Sequence, residues 1–425
     1  MRGGRCDDPS AYVIDNRQLC RLLLAFTVYN DNNQHSYWQL QMKPSDYINS
    51  TAGKLIKTSQ GYLAFLPNPL PPELAWSSLL VSLLSEAERE LAKLALAGKG
   101  FPHPHILTRS FIRHEAVISS RIEGTRATLE DLYSYESEQM SFLEPNTDAR
   151  EVYNYVKALD YGLERVKSLP LSLRLIRELH GILMDGVRGE VMTPGEFRRS
   201  QNWIGPAGCT LETATYVPPP VDEMREVLGA LEQFIQASTD LPTLARIALI
   251  HYQFEAIHPF LDGNGRVGRL LVSLLLCQWD LLPSPLLYLS SFIERNRNEY
   301  YDRLLAVSQQ SDWDGWLRFF FTGVREQSRE AARCIENLQQ LRNRYRAQLA
   351  SRRSVKRLAD VVDYLIGNPI FTVRKLQAGL GLTDFKTAHR YVNDLEQAGI
   401  LREVTARKRN RLYRADEVFN AIKNE

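Results

Sequence analysis

The spacing of apolar and polar residues changes character several times along the chain. Residues 1–41 show no clear period, apart from a short apolar run at 22–28 that follows Asp7, Asp8 and Asp15. With acids before it and no small-residue cleavage site after it, that run is neither a signal peptide nor an anchor. Residues 1–41 either come from an over-long start assignment or form an N-terminal extension. An extended segment follows, and Pro67, Pro69, Pro71 and Pro72 forbid a helix there and predict a surface strap. A helical pattern runs from about Ser77 to Ala97. From Phe111 to about Gln327 the apolar positions recur mostly every 3.6 residues, as in Leu171, Leu175, Leu179 and Leu183, then Leu244, Ile247, Ile250 and Phe254. The exception is 196–220, whose Gly and Pro turns predict a β-hairpin. A charged helical stretch at 326–350 reads as a spacer rather than as core. It leads to a compact last unit from about 352 onward. The expected class is mainly α, divided at 42–135, 136–325, 326–351 and 352–425.

Composition narrows the function classes. At roughly 150 residues per domain, 425 residues allow two or three domains, each able to build a core without disulfides or metals. Lys and Arg number 52 against 50 Asp and Glu, a net charge of +2 that argues against a nucleic-acid coat or a polybasic membrane-surface protein. That balance is a cancellation. The last 74 residues carry fifteen basic and nine acidic side chains, or +6, leaving −4 on the rest. Five scattered cysteines without C-x-x-C spacing argue against a disulfide framework or a zinc site and point to a reducing cytoplasm. No apolar run approaches the ~18 residues of a membrane span.

The richest chemistry lies at 258–269, His-Pro-Phe-Leu-Asp-Gly-Asn-Gly-Arg-Val-Gly-Arg. Its Gly263-x-Gly265-x-x-Gly268 matches a dinucleotide fingerprint only superficially, because a helical pattern and a His-Pro break precede it where a strand is required. Gly263 and Gly265 allow a tight turn and close approach of the backbone to a ligand. The buried helix expected after them would aim its first N–H groups into the turn, forming a nest suited to phosphate. Arg266 and Arg269, three apart, can both reach phosphate oxygens. Asp262 beside the nest suits Mg²⁺ bridging phosphates. His258 is the one side chain here able to accept a proton near pH 7. Phe260 anchors the loop in the core.

With nine fixed residues in twelve, this stretch resembles the Fic family motif H-P-F-x-[DE]-G-N-G-R-x-x-R. Segments 179–188 and 194–203 look like the family's pre-flap helix and strand, so the resemblance covers about 42–324. It implies a Fic-type helical bundle with a small hairpin flap, and transfer of AMP from ATP to a target Ser, Thr or Tyr hydroxyl. By position, His258 would be the base and Asp262 the Mg²⁺ ligand. The stretch Gly263, Asn264, Gly265, Arg266, Val267, Gly268 and Arg269 would form the ATP and phosphate site.

A second constellation lies at 119–124. Ser119 and Glu123 share one helix face, and Gly124 ends that helix as its C′ residue. A Glu at a helix C-terminus opposes the macrodipole and costs stability unless a cation receives it. In one Fic class the motif [ST]-x-x-x-E-[GN] is inhibitory. Carried across, Glu123 would pair with Arg269 and block the productive γ-phosphate position, with Ser119 steadying the helix.

Other positions leave alternatives open. Thr215, Tyr216 and Val217 resemble the family's target-docking flap, or are a Pro-terminated loop. Asn296, Tyr300 and Tyr301 either line an adenine pocket or belong to the core. His251, Glu255 and His258 are not read as a metal cluster, and His251 is a core or surface residue. In the last unit, a helix, a Gly turn, a second helix from Phe385 and a hairpin with a basic turn at 407–411 resemble a winged helix. Lys386 and Arg390 fall on its recognition helix. Such a unit contacts DNA or docks protein, and a homodimer is open. The alternatives for the whole chain are removal of AMP or another nucleotidyl transfer at the same site, and a nucleotide-responsive DNA-binding regulator.

Overall fold

The computed structural model describes residues 42–138, 147–187, 193–350, 355–405 and 410–423; residues 1–41 and most of the basic turn at 407–411 lie outside them. β1 (Gly53–Lys57) and β2 (Leu63–Pro67) form an antiparallel pair with Leu55 opposite Phe65. The segment is extended as expected: β2 is a core strand as far as Pro67, and the prolines beyond it follow the surface, with Pro69 and Pro71 exposed. Ala64 and Phe65 are fully buried, and the Phe65 ring packs between Tyr47 and Tyr216.

Helices then take over. α1 (Ser78–Gly100) is capped by the Ser77 hydroxyl, which accepts the Leu80 N–H at 3.2 Å. α2 (Pro104–Ile122) starts at its proline rather than near Phe111, because Pro suits a first helical turn. After α3 (Leu129–Glu138), α4 (Thr147–Arg165), α5 (Leu173–Leu183) and α6 (Val221–Gln236) come the two central helices, α7 (Thr243–Ile257) and α8 (Asn264–Gln278). Leu244, Ile247, Ile250 and Phe254 of α7, and Val267, Leu270, Leu271 and Leu274 of α8, are at most 1% exposed. Helices apolar nearly all round must be enclosed by others. α2, α4 and α5 pack on α8, so the α7–α8 loop is framed by them.

The hairpin expected at 196–220 shrinks to one antiparallel bridge, Ile204 with Tyr216. Pro206, Pro218, Pro219 and Pro220 lack the N–H groups that a longer ladder would need.

After α9 (Ser290–Arg295) and α10 (Arg297–Gln310), one helix, α11 (Trp313–Gln348), runs 36 residues. The spacer expectation is overturned here. Trp316, Phe320, Val324, Gln327, Ala331, Ile335, Leu338, Arg342 and Tyr345 form a buried stripe at helical spacing; Arg342 is the one charge in it, paired with Asp363. α11 packs along α1, where Arg325 pairs with Glu86 at 3.0 Å. The expected division near 326 therefore falls inside one helix.

The last unit comprises α12 (Val355–Gly367), β3 (Ile370–Thr372), α13 (Val373–Gly379), α14 (Phe385–Gln397), β4 (Arg402–Glu403), β5 (Leu412–Arg414) and α15 (Asp416–Lys423). The strands pair antiparallel in the order β3-β5-β4. This is the element order expected of a winged helix. Among the described residues no helix is long and apolar enough to cross a membrane.

Candidate active site

α7 ends at Ile257, and His258 turns the chain with left-handed dihedrals (φ 49°, ψ 60°). That conformation is costly for a residue with a Cβ and must be held from outside. Asn202 and Arg198 supply the hold. Arg198 Nε and Asn202 Nδ2 each donate to His258 O at 3.1 Å, and Asn202 Nδ2 also reaches Phe260 O at 2.9 Å. Arg198 is 1% exposed, and its guanidinium also donates to Ser200 O and, at 2.5 Å, to Pro219 O. Burial pushes this arginine down to about 10.

The His258 ring is oriented as well. Its Nδ1 lies 3.3 Å from Glu255 O, which can only accept, so Nδ1 carries the proton and Nε2 presents a lone pair. Burial, aided by the Arg198 charge, pushes the imidazole down to about 4, so it is a neutral base at pH 7. Phe260 is fully buried and stacks on His180 at 3.7 Å between ring centroids. His180 accepts the Gly195 N–H at Nδ1 (2.9 Å) and donates from Nε2 to Asp262 O (3.1 Å), fixing the far side of the loop.

Gly263 (φ 77°) opens α8, as the turn requires. Asn264 folds back, accepting the Phe260 N–H at 2.9 Å and donating to Phe260 O at 2.8 Å. The first turn of α8 is covered by Glu123. A side chain at Gly265 would collide with Glu123 Oε1. Arg269, 3% exposed, donates from Nη2 to Glu123 Oε1 at 2.6 Å and to Ser119 O at 2.9 Å, and from Nε to Ser119 Oγ at 2.9 Å. Burial works to raise the Glu123 carboxyl, but Arg269, then Arg266 and Arg297, outweigh it and hold it below the usual carboxylate range. The carboxylate that opposes the dipole of α2 thus lies at the favourable end of α8. Gly124, at φ 95°, ends α2 as its spacing implies.

Residues 81–164 match the Fic/DOC family N-terminal domain, and residues 170–276 the Fic/DOC family domain. The chain carries a Fic domain. The curated relatives include proteins called protein adenylyltransferase Fic from Drosophila grimshawi and Drosophila virilis. Each is 29% identical over 202 residues, covering 47% of this chain and 38% of the relative. The chain thus spans under two-fifths of their length. A crystal structure of a Fic family protein from Desulfovibrio desulfuricans superposes over 81% of this chain and 98% of that one, with a TM-score of 0.53 at 21% identity. At that identity the likeness shows a shared fold.

Within the Fic motif, the structure separates residues that spacing had grouped. Arg266 and Arg269 diverge. Arg266 lies 3.5 Å from Glu151 of α4 and 3.7 Å from Asp262, while Arg269 faces α2. Val267 is fully buried in the core, and Gly268 gives room to Glu255, whose oxygen would collide with a Cβ there. Neither faces the loop, so both are corrected from ligand-binding to packing positions. The Asn264 side chain likewise closes the turn on itself. Burial pushes the Glu255 carboxyl up to about 8, beyond what Arg269 offsets, so it is protonated at pH 7.

The adenine expectation fails at Tyr300. Tyr300 is 1% exposed, with its hydroxyl 2.8 Å from His251 Nε2, and Asn296 donates to Phe292 O at 2.9 Å. Tyr301 and Asn296 stay partly accessible, with Arg297 over the Tyr301 ring. His251 is a core residue, 2% exposed. At 215–217 the flap is already engaged. Tyr216 exchanges both main-chain bonds with Ile204, and Val217 O accepts the Phe65 N–H at 2.9 Å. The Thr215 main chain and the Val217 N–H take no part in these bonds. Arg198, Asn202, His180 and Glu151 escaped the sequence reading, since the groups they meet in the 258–266 stretch are 56 or more residues away. Only His180, polar on the apolar face of α5, carried a local signal.

Because a lysine cannot fork across three carbonyls, Arg198→Lys is expected to loosen the His258 turn. The turnover number for ATP-dependent modification should fall about ten- to a hundredfold with ATP binding unchanged. Unchanged turnover would remove this positioning role.

Proposed function

We propose that this Fic chain transfers AMP from ATP to a Ser, Thr or Tyr hydroxyl of a target protein, and of itself. The hydroxyl oxygen forms a bond to the α-phosphorus, the bond from that phosphorus to the β-phosphate oxygen breaks, and diphosphate leaves. His258 Nε2 takes the hydroxyl proton. The observation that carries this reading is a neutral, oriented imidazole beside an anion-accepting helix N-terminus. Main-chain N–H groups at the start of α8, with Arg266 and Arg269, would receive the phosphates.

Asp262 fits Mg²⁺ when the nucleotide supplies further oxygens. Its side chain is 41% exposed, and its Oδ1 accepts the Gly263 N–H at 2.6 Å. Among the described residues no three His, Cys, Asp or Glu gather into a self-sufficient metal site. Bound there, the ion would neutralise phosphate charge. Glu123 would act as a brake, a carboxylate in the position that a terminal phosphate needs. Scattered cysteines favour a cytoplasmic setting.

Intact-mass and peptide mass spectrometry of the Glu123→Gly protein incubated with ATP and Mg²⁺ tests the reading. An added AMP on Ser, Thr or Tyr supports it, and an unmodified protein that binds ATP sinks it. The surface of α14 favours a second activity. Lys386, Arg390 and Asn393 are exposed at helical spacing on this helix, the one that would enter a DNA groove. The full-length chain is then expected to shift duplex DNA in a gel, with affinity falling steeply with salt. No shift at low salt would leave this unit a protein-docking module.

A further inference from the structure

Glu123 lies between α2 and α3, and both helices are gripped by the last unit. On the α2 side, the Ser110 hydroxyl donates to Ile366 O at 2.8 Å in buried surroundings. Ile366 is in the last turn of α12, where carbonyls lack helical partners, so this bond caps α12 with a side chain from α2. One residue on, Gly367 lets the two helices touch. A Cβ there would stand 2.9 Å from Ile106 Cγ2 and 3.1 Å from Ile106 O. His103, at the start of α2, lies 3.2 Å from Asp363, which Arg342 and Arg346 of α11 each hold at 2.6 Å. On the α3 side, Arg414 of β5 pairs with Glu130 at 2.9 Å, and Lys375 of α13 comes within 4.0 Å of Glu136. Glu136 in turn holds Arg113 of α2 at 2.9 Å.

We propose that the C-terminal unit sets the strength of the brake: seated on α2 and α3 it keeps Glu123 against Arg269, and unseating it lets Glu123 withdraw. The coupling rests on the reading of Glu123 as a brake. Its physical basis is the geometry at Arg269. Ser119 Oγ, Ser119 O and Glu123 Oε1 all come from the last turn of α2 and its cap, at 2.6–2.9 Å. Hydrogen bonds of that length tolerate displacements of only a few tenths of an ångström. α2 is one helix of 19 residues, so the seat near its start and the bonds at its end belong to one stiff element. The exposed face of α14 stays open while the unit is seated, which leaves a surface through which a partner can pull on the block.

The test compares full-length variants in two backgrounds, measuring initial rates of auto-modification with labelled ATP. Gly367→Val wedges α12 away from α2, and Ser110→Ala removes the cap. Each is expected to raise the rate about three- to tenfold, the scale set by removing one buried hydrogen bond. In the Glu123→Gly background the same changes should leave the rate unaltered, because no brake remains. Hydrogen exchange over 115–125 should quicken in Gly367→Val. Should that variant melt far below wild type, Arg414→Ala with Lys375→Ala cuts the α3 contacts instead. No rate increase in any seat variant, with Glu123→Gly active, overturns the coupling. Equal increases in both backgrounds also overturn it, since the unit would then act by another route. A Glu123→Gly protein no faster than wild type removes the brake itself and the coupling with it.

Discussion

Replacing Glu123 with glycine is expected to raise auto-modification by labelled ATP roughly ten- to a hundredfold, the range of one charge-assisted hydrogen bond removed from a competing site. The carboxylate lies over the first turn of α8 and takes an Arg269 donor at 2.6 Å. A terminal phosphate seeking the same arginine and the same N–H groups must displace it. Deleting the side chain leaves Arg269 held by Ser119 through two bonds, so the cation remains placed for its new partner. Glu123→Gln should behave intermediately, because it keeps the volume and loses the charge. Initial rates at several ATP concentrations read the effect as a fall in the ATP concentration required as well as a rise in turnover. Equal rates for wild type and Glu123→Gly would remove the brake.

In that released background, His258→Ala is expected to lose about a hundred- to ten-thousandfold in rate while still binding ATP, the span of a general base. The pH dependence carries further information. Burial holds the imidazole near 4, so its neutral form persists through the mildly acidic range. Because the group works deprotonated, activity is present above the folded value and lost as pH falls through it. The rate should therefore be flat from about pH 7.5 to 6 and decline only toward pH 4–5, rather than breaking at the ordinary ~6.5 of a solvated histidine. A break near 6.5 in the Glu123→Gly protein would mean that the imidazole is not held in its buried, neutral state.

Much of the site could be read in the chain order alone, because its parts are local. The loop from His258 to Arg269 is twelve consecutive residues, and its glycines, proline and polar side chains specify the turn and the helix that follows through short-range sterics. Ser119, Glu123 and Gly124 lie likewise within two turns of one helix. The long apolar periods of α7 and α8 announced buried helices, and the structure buries them.

Elsewhere, position along the chain said nothing about direction in space. Val267 and Gly268 sit between ligand candidates in sequence, but a helix turns them toward the core and toward Glu255. Tyr300 was one aromatic among several until His251 and Trp316 closed around it. Residues 326–348 looked like a spacer because polar and charged residues together outnumber apolar ones there, yet helical winding collects most of the apolar minority into one buried stripe. The catalytic alphabet, the turn and the helical class were thus determined by the sequence itself, since each depends on neighbours within a few residues. That Arg266 turns toward Glu151, what holds His258 in its left-handed turn, and what grips α2 from the far end were decided only by tertiary packing. Those contacts join residues tens to hundreds of positions apart, and no local rule carries that information.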